Sequence, residues 1–188
     1  MSVRTNHDDK DQIYFCTVTC FNWLNLIQIT NFYNEIYKWF DILVQKGCKI
    51  LGFVLMPNHF HNLIYMPEGA DNLNKFFSNG KRFMSYEIID RLTKQANWPV
   101  LKTLENAVSE KEKAKGQLHN VFRPSFDAKP CYNERIIIQK LDYMHANQIS
   151  GKWNLVEVFT DYIHSSAKFY EFNEQGIYPV THYKEITG

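Results

Sequence analysis

Apolar residues recur along the first third of the chain in patterns that predict strands and one helix. Residues 13–20 (IYFCTVTC) are rich in β-branched and aromatic residues and predict a first strand. The next segment, FYNEIYKWFDILVQK, places its apolar residues on one helical face and stops at Gly47. Two further apolar runs, KILGFVLM and HFHNLIYM, are separated by Pro57 and Asn58, which predicts a β-hairpin with a tight turn.

The remaining chain contains two further helical patterns and one stretch that is hard to interpret. The run LNKFFSNGKRFMSYEIIDRL has helical spacing, weakened in its middle by Gly80. Residues 93–120 predict an insertion or loop, and their charged run SEKEKAKGQ predicts a solvated loop or an exposed helix. A short strand is expected at 120–123. Asn133 then caps the predicted helix ERIIIQKLDYMHANQ.

The order of these elements predicts a single α+β domain. The predicted order is that of a ferredoxin-like (RRM-like) fold, with an antiparallel sheet and its helices on one face. The elements follow one another as strand, helix, strand, strand, helix, strand and helix. The hairpin strand HFHNLIYM is expected at the centre of that sheet, and the second face is expected to be open for chemistry. We assign residues 1–188 to this one domain, with residues 1–12 as a flexible N-terminus.

Composition narrows the class of protein but does not identify a binding partner. The 188 residues carry a net charge of +1, which neither indicates nor excludes nucleic-acid binding, since a local basic groove can be balanced elsewhere. No apolar stretch reaches the roughly 20 residues of a membrane helix, and the polar start resembles no signal peptide. The 4 cysteines form no CxxC pair and predict reduced thiols in a cytoplasmic protein.

The segment MPNHFHNLI contains the first candidate chemistry. On a strand, His59 and His61 point to the same face, with Cα atoms about 6.6 Å apart, and Phe60 points to the other. Two imidazoles at this spacing can converge on one metal ion. Composition alone readily produces an HxH pair in a chain with 7 histidines, so the pair by itself is weak evidence.

The helix after Asn133 offers partners for such an ion. Lys140, Tyr143 and Asn147 fall on one helical stripe. The amide oxygen of Asn147 could complete a site of two histidines and one oxygen. A tyrosine hydroxyl ordinarily keeps its proton at neutral pH, so Tyr143 would need a metal-bound phosphate or the nearby Lys140 to act as a nucleophile. Taken alone, one of 11 tyrosines is more often a packing residue.

Three motifs in order resemble those of one family. MPNHFHNLI resembles the MPNHxH segment of the HUH single-tyrosine transposases, the group of insertion-sequence and REP-associated tyrosine transposases. LDYMHANQISGKWNL resembles the YxxxN helix segment of that family, and DYIHSSAKFY resembles its C-terminal WSSxxxY-like segment. The resemblance extends over residues 13–170, with Gln148 where the family commonly has proline and His164 in place of its tryptophan.

This resemblance implies a fold, a reaction and a set of residues. The HUH motif is expected on a central strand, with His59, His61 and Asn147 binding a divalent ion, Mg²⁺ or Mn²⁺. Tyr143 is the expected nucleophile, and it attacks single-stranded DNA to give a 5′-phosphotyrosine and a 3′-OH. DNA transposition or processing of REP-type repeats is therefore the expected function, in a bacterial, cytoplasmic protein that is nucleoid-associated when bound to DNA.

The expected partner is single-stranded DNA with hairpin or repeat ends, and both a monomer and a homodimer fit the family. Four basic residues are candidates for contacts with the DNA backbone, although ordinary solvated charges are an equal alternative: Lys81, Arg82, Arg123 and Lys140.

Two other functions remain open from the sequence. The first is a ferredoxin-like protein that binds single-stranded nucleic acid without catalysis, which includes a degenerate transposase. The second is a metal hydrolase that uses His59 and His61 with water as the nucleophile. Both would tolerate the loss of Tyr143, and the transposase would not.

Overall fold

The computed structural model describes residues 11–124, 126–151 and 153–187. The strands are β1 (Gln12–Thr19), β2 (Lys49–Leu55), β3 (His59–Met66) and β4 (Asp127–Pro130). The α-helices are α1 (Leu26–Ile29), α2 (Tyr33–Gln45), α3 (Leu73–Lys94), α4 (Trp98–Asn106), α5 (Glu110–Lys113), α6 (Glu134–His145), α7 (Ala167–Phe172) and α8 (Lys184–Thr187). Short 3₁₀ helices lie at Phe21–Trp23, Asn147–Ile149 and Phe159–Asp161.

The N-terminal segment expected to be flexible lies mostly outside the described residues, since 1–10 are not among them and Gln12 already begins β1. Within the described parts of the chain, no helix is both long enough and apolar enough to cross a membrane.

The strands form one antiparallel sheet in the order β2-β3-β1-β4, which is the ferredoxin-like order. The β2–β3 hairpin closes tightly, because the amide of Met56 donates to the carbonyl of His59 at 2.8 Å around Pro57 and Asn58. The predicted hairpin, the antiparallel sheet and the α+β class are therefore confirmed, and β3 lies at the centre of the sheet.

Helices cover both faces of the sheet, which corrects the expectation that one face is open. Phe60 and Ile64 of β3 belong to the larger core cluster, in which α2 and α3 cover the first face. On the second face, Ile137, Leu141 and Met144 of α6 pack in a separate cluster with apolar residues of β1, β2 and β3. The apolar stripe of α6 provides the cover that these strand residues require. An open cavity lies at the end of the second face that carries the histidines.

Two glycines allow close packing at positions where a side chain would collide. A Cβ on Gly80 of α3 would lie 2.8 Å from Cε2 of Trp39, so this helix needs its glycine to pack on α2. A Cβ on Gly52 would lie 2.8 Å from Leu141 Cδ2 and 2.9 Å from Met144 Cε. Gly52 therefore allows α6 to approach β2 directly.

The C-terminal segment covers the edge of β2. The amide of Leu55 donates to the carbonyl of His164 at 2.8 Å, and the amide of Ser166 donates to the carbonyl of Phe53 at 2.9 Å. The hydroxyl of Tyr170 donates to a further β2 carbonyl at 2.7 Å. The edge is thereby closed to pairing with another chain.

The segment 93–120 is partly helical, and its charged run contains an exposed helix, which is one of the two forms predicted for that run. It contains α4, where Leu101 and Leu104 are buried, and the exposed α5 within the charged run. Ser109 begins α5 with a capping box, in which its hydroxyl and the side chain of Glu112 satisfy backbone amides reciprocally.

The last strand lies later than predicted. Phe122 forms only an isolated bridge with Cys20, and β4 begins at Asp127. Pro124 lacks an amide N–H and interrupts the ladder between these two positions.

Candidate active site

The two histidines of β3 lie side by side on the second face of the sheet. His59 and His61 are each 4% exposed, and their ring centroids are 4.9 Å apart. Phe60 points to the opposite face, where its ring centroid lies 5.8 Å from that of Trp39. The alternation expected from the sequence is therefore confirmed.

Neighbouring side chains orient both imidazoles. The Oδ1 of Asn58 lies 2.7 Å from Nδ1 of His59, and an amide oxygen only accepts, so Nδ1 of His59 carries the proton. Its Nε2 is therefore the atom that can ligate a metal ion. The Nδ1 of His61 lies 2.8 Å from the hydroxyl of Thr17, and its Nε2 lies 3.2 Å from Nδ2 of Asn147.

The environment keeps His61 neutral. Burial, together with the neighbouring His59 and the charge of Lys140, lowers the pKa of His61 to about 3. A neutral imidazole is the form that binds a metal ion. His61 is therefore ready to act as a ligand throughout the physiological pH range.

Helix α6 and the 3₁₀ turn after it bring the other predicted residues to the histidines. The ring of Tyr143 lies 5.4 Å from that of His61 and 6.1 Å from that of Phe15. Tyr143 is 54% exposed, so its hydroxyl can be reached from solution. Asn147 contacts His61 directly, and the Lys140 amine lies 5.2 Å from the centroid of the Phe15 ring. The structure thus brings Lys140, Tyr143 and Asn147 close to the pair of histidines.

The basic residues proposed for DNA contacts occupy different surroundings. Arg123 lines the site, with its guanidinium carbon 4.7 Å from the centroid of the Trp23 ring. The Lys81 amine donates to the carbonyl of Arg123, and burial lowers the pKa of Lys81 to about 8. Arg82 is exposed on α3, with its guanidinium carbon 4.9 Å from the Phe83 ring centroid.

An open cavity of about 580 Å³ lies over the histidines. Its lining residues are Thr17, Thr19, Trp23, His59, His61, Arg123, Asp127, Tyr143, Asn147 and Trp153. Sequence reasoning missed five of these residues: Thr17, Thr19, Trp23, Asp127 and Trp153. The position of Thr17 follows only from the strand pairing, which sets it opposite His61.

The donor set suits an ion that is shared with a substrate. Among residues 11–124, 126–151 and 153–187, no group of three or more His, Cys, Asp or Glu side chains could hold a metal ion. The predicted donors at the cavity are two imidazoles and the neutral amide of Asn147, and the carboxylate of Asp127 also lines the cavity. Such a set leaves most coordination positions for water and phosphate oxygens, which Mg²⁺ and Mn²⁺ favour.

Both residues that depart from the family motifs have defined packing roles. Gln148 is fully buried, and its Nε2 donates to the carbonyl of Phe159 at 2.8 Å. His164 stacks on Tyr33 with ring centroids 3.9 Å apart, and its Nδ1 lies 2.9 Å from the hydroxyl of Tyr37. Gln148 thus anchors the chain after α6, and His164 fills an aromatic position beside β2.

Comparison with known proteins yields similarity only at the level of structure. No protein-family model and no curated protein matches the chain. A REP-associated tyrosine transposase bound to a REP hairpin is similar over 89% of this chain and 84% of its own, with a TM-score of 0.59 and 20% identity. A putative transposase from Deinococcus radiodurans R1 matches over 76% of this chain and 92% of its own, with a TM-score of 0.36 and 16% identity. The chain therefore shares the fold of this REP-associated tyrosine transposase. In the present chain, His59 and His61 lie on β3, a central strand of the sheet.

Proposed function

We propose that the protein is a metal-dependent HUH tyrosine transposase that cuts single-stranded DNA and transfers the cut strand. The observation that carries this proposal is the position of Tyr143, whose ring lies 5.4 Å from that of His61 at the rim of an open cavity. The fold similarity to a transposase bound to a REP hairpin supports the same function and suggests hairpin or repeat DNA as the substrate.

In the proposed reaction, Tyr143 performs the chemistry on the strand. Its hydroxyl oxygen attacks a backbone phosphorus, which forms the O–P bond of a 5′-phosphotyrosine and breaks the bond to the 3′ oxygen. The phenol loses its proton and the departing oxygen gains one, which leaves a 3′-OH. Attack by a 3′-OH on the phosphotyrosine reverses these steps and joins the strand, so no nucleotide triphosphate is consumed.

The histidines and Asn147 would hold the divalent ion and the phosphate in place. An ion at this position polarises the scissile phosphate and stabilises the charge on its oxygens. Asn58 and Thr17 orient the two imidazoles for this task. Asn147 would turn its amide oxygen toward the ion in place of the amide nitrogen that contacts His61.

Lys140 would act on the strand through its charge. It precedes Tyr143 by one helical turn, so its ammonium lies on the same side of α6. A cation there would attract the DNA backbone toward Tyr143.

A covalent-trapping experiment tests the proposal. Labelled single-stranded hairpins, including repeat sequences from the source genome, are incubated with the protein and Mn²⁺ and resolved on a denaturing gel. We expect a protein–DNA band with the wild type, none with Tyr143→Phe, and strong reduction with His59→Ala or after addition of a chelator. Tyr132→Phe is the matched control, because Tyr132 is exposed and lies just before α6.

Two outcomes would replace the proposal with another function. Cleavage without an adduct that persists in Tyr143→Phe would indicate water as the nucleophile. Binding without cleavage, unchanged in Tyr143→Phe, would indicate a protein that binds single strands without catalysis.

A further inference from the structure

We infer that Trp23 and Arg123 form a platform on which one unpaired nucleobase stacks beside His59. This inference deepens the proposed function, because it names the part of the substrate that the cavity wall recognises. A nucleotide offers an aromatic base and a charged phosphate, and the wall offers an exposed indole and a guanidinium to match them.

The geometry places Trp23 at the site of reaction. Its ring centroid lies 5.5 Å from that of His59, and the two rings meet edge to face. Trp23 is 45% exposed and lines the cavity. The indole is thus presented to the cavity and is not part of the core.

The backbone holds Trp23 in this position at an energetic cost. Asn22 and Trp23 have φ values of 47° and 57°, in the left-handed region that a bulky residue rarely adopts. Such strain persists where surrounding contacts enforce it, and it concentrates at functional sites. One enforcing contact is the hydrogen bond from Nδ2 of Asn58 to the carbonyl of Trp23 at 2.9 Å.

Asn58 couples the platform to the histidine pair. Its amide nitrogen binds the Trp23 backbone, and its amide oxygen accepts from Nδ1 of His59. One side chain therefore sets both the position of the indole and the tautomer of the imidazole. A base stacked on Trp23 would consequently lie at a fixed distance from the phosphate held at His59.

Arg123 supplies a positive charge that no carboxylate neutralises within the described residues. The nearest acidic residue of the cavity wall, Asp127, is paired with Lys129 at 3.5 Å. The Arg123 amide donates to the carbonyl of Thr19 at 2.9 Å, and Lys81 binds the Arg123 carbonyl. The guanidinium is therefore held over the indole and can still bind a phosphate.

The platform requires an unpaired nucleotide. In a duplex both faces of a base are covered by its neighbours, so only an unstacked base can offer a face to Trp23. Stacking on an aromatic side chain is tolerant of sequence, so the platform selects single strands over duplexes and does not select one base strongly.

A binding experiment without cleavage tests the platform. The cleavage-deficient Tyr143→Phe protein is titrated against a labelled oligothymidylate and against an oligomer of the same length made of abasic residues. We expect the oligothymidylate to bind about tenfold more tightly. Adding Trp23→Ala should abolish this preference, and Trp23→Phe should restore most of it. Trp98→Ala is the matched control, because Trp98 is 61% exposed on α4 outside this cavity.

The outcomes separate stacking from other roles of Trp23. Arg123→Gln should weaken binding of both oligomers alike, since it removes a phosphate contact. A preference for the oligothymidylate that survives Trp23→Ala, or no binding of either oligomer by the parent protein, would overturn the platform. If this preference depends on Trp23 while the wild type forms no covalent adduct in the trapping experiment, the platform is upheld and the proposed strand transfer is refuted.

Discussion

The Nε2 of His145 lies 2.9 Å from the hydroxyl oxygen of Ser166, and the same oxygen accepts from the amide of Phe53 at 2.9 Å. One buried hydroxyl therefore joins α6, the edge strand β2 and the C-terminal segment. Because α6 also carries Tyr143, this junction sets where the candidate nucleophile lies relative to the sheet.

Replacing Ser166 should destabilise the protein more than replacing its neighbour. Ser166→Ala leaves the buried His145 nitrogen and the Phe53 amide without their partner, which should cost about 1–3 kcal/mol in the free energy of unfolding. Ser165→Ala, which removes only one bond to the amide of Ala167, is the matched control. Urea unfolding of both variants measures the difference, and equal losses would show that Ser166 is not a junction.

Gly80 provides a test in which helix propensity and packing have opposite effects. Alanine at this position would raise the helix propensity of α3 by about 1 kcal/mol. Its Cβ would however lie 2.8 Å from Cε2 of Trp39, a ring confined by Phe60 and Phe77. We expect Gly80→Ala to lower stability by about 1–3 kcal/mol. Asn79→Ala is the control, because Asn79 is exposed and alanine there should raise stability through helix propensity alone. A Gly80→Ala protein more stable than the wild type would contradict the predicted clash with Trp39.

The same glycine shows how far the sequence could predict the fold. Alternation and helical spacing were sufficient for the sheet, its central hairpin and the helices that carry apolar stripes. The helix through Gly80 looked weak because the reason for its glycine lies on α2, far along the chain. The cover of the second face by α6 was missed, because the pattern shows that a helix has an apolar stripe but not which face of the sheet receives it.

The candidate site was predictable where its residues were close in sequence or matched a motif. His59, His61, Tyr143 and Asn147 are brought together as expected. Trp23 was missed because its role depends on an unusual backbone conformation and on contacts with Asn58 and Arg123 that no local pattern indicates.

Stability should fall in mild acid, partly through His164. Burial lowers the pKa of His164 to about 4, below the usual value of about 6.5 that the unfolded chain retains. The unfolded chain therefore binds more protons between these values, so stability is lost as the pH falls from about 6.5 toward about 4.

The contribution of His164 can be isolated by substitution. His164→Phe keeps an aromatic ring on Tyr33 but cannot take up a proton. We expect its melting temperature to be lower than that of the wild type near pH 8, because the bond to the Tyr37 hydroxyl is lost, and to fall less steeply with acid. Equal acid slopes in the two proteins would show that His164 does not carry this dependence.

Asn58 should control metal affinity without being a ligand. Asn58→Ala removes the acceptor that holds the proton of His59 on Nδ1, and loss of such an orienting partner commonly weakens metal binding by about 10–100-fold. Calorimetric titration with Mn²⁺ measures this. Asn133→Ala, which removes the cap at the far end of α6, should lower stability by about 1 kcal/mol and leave metal affinity unchanged. Unchanged affinity in Asn58→Ala would exclude the orienting role.

The contacts among four rings of the site predict which of the two nucleotides at the cleaved bond stacks on Trp23. Ring centroids step from Tyr143 to His61 over 5.4 Å, to His59 over 4.9 Å and to Trp23 over 5.5 Å. In phosphoryl transfer the attacking and departing oxygens lie roughly in line on opposite sides of the phosphorus. Because Tyr143 lies next to His61 and Trp23 lies next to His59, we expect the departing 3′ oxygen on the Trp23 side of the phosphorus. The base stacked there belongs to the nucleotide that leaves with the 3′-OH.

Abasic residues placed on either side of the mapped cut test this assignment. An abasic nucleotide on the 3′-OH side should slow adduct formation about tenfold in the wild type, and one on the phosphotyrosine side should have little effect. Trp23→Ala should be slow on the intact strand and insensitive to either abasic position, because the stacking partner is already absent. A penalty confined to the phosphotyrosine side would mean that the strand runs through the cavity in the opposite direction, with Trp23 holding the nucleotide that stays attached to Tyr143.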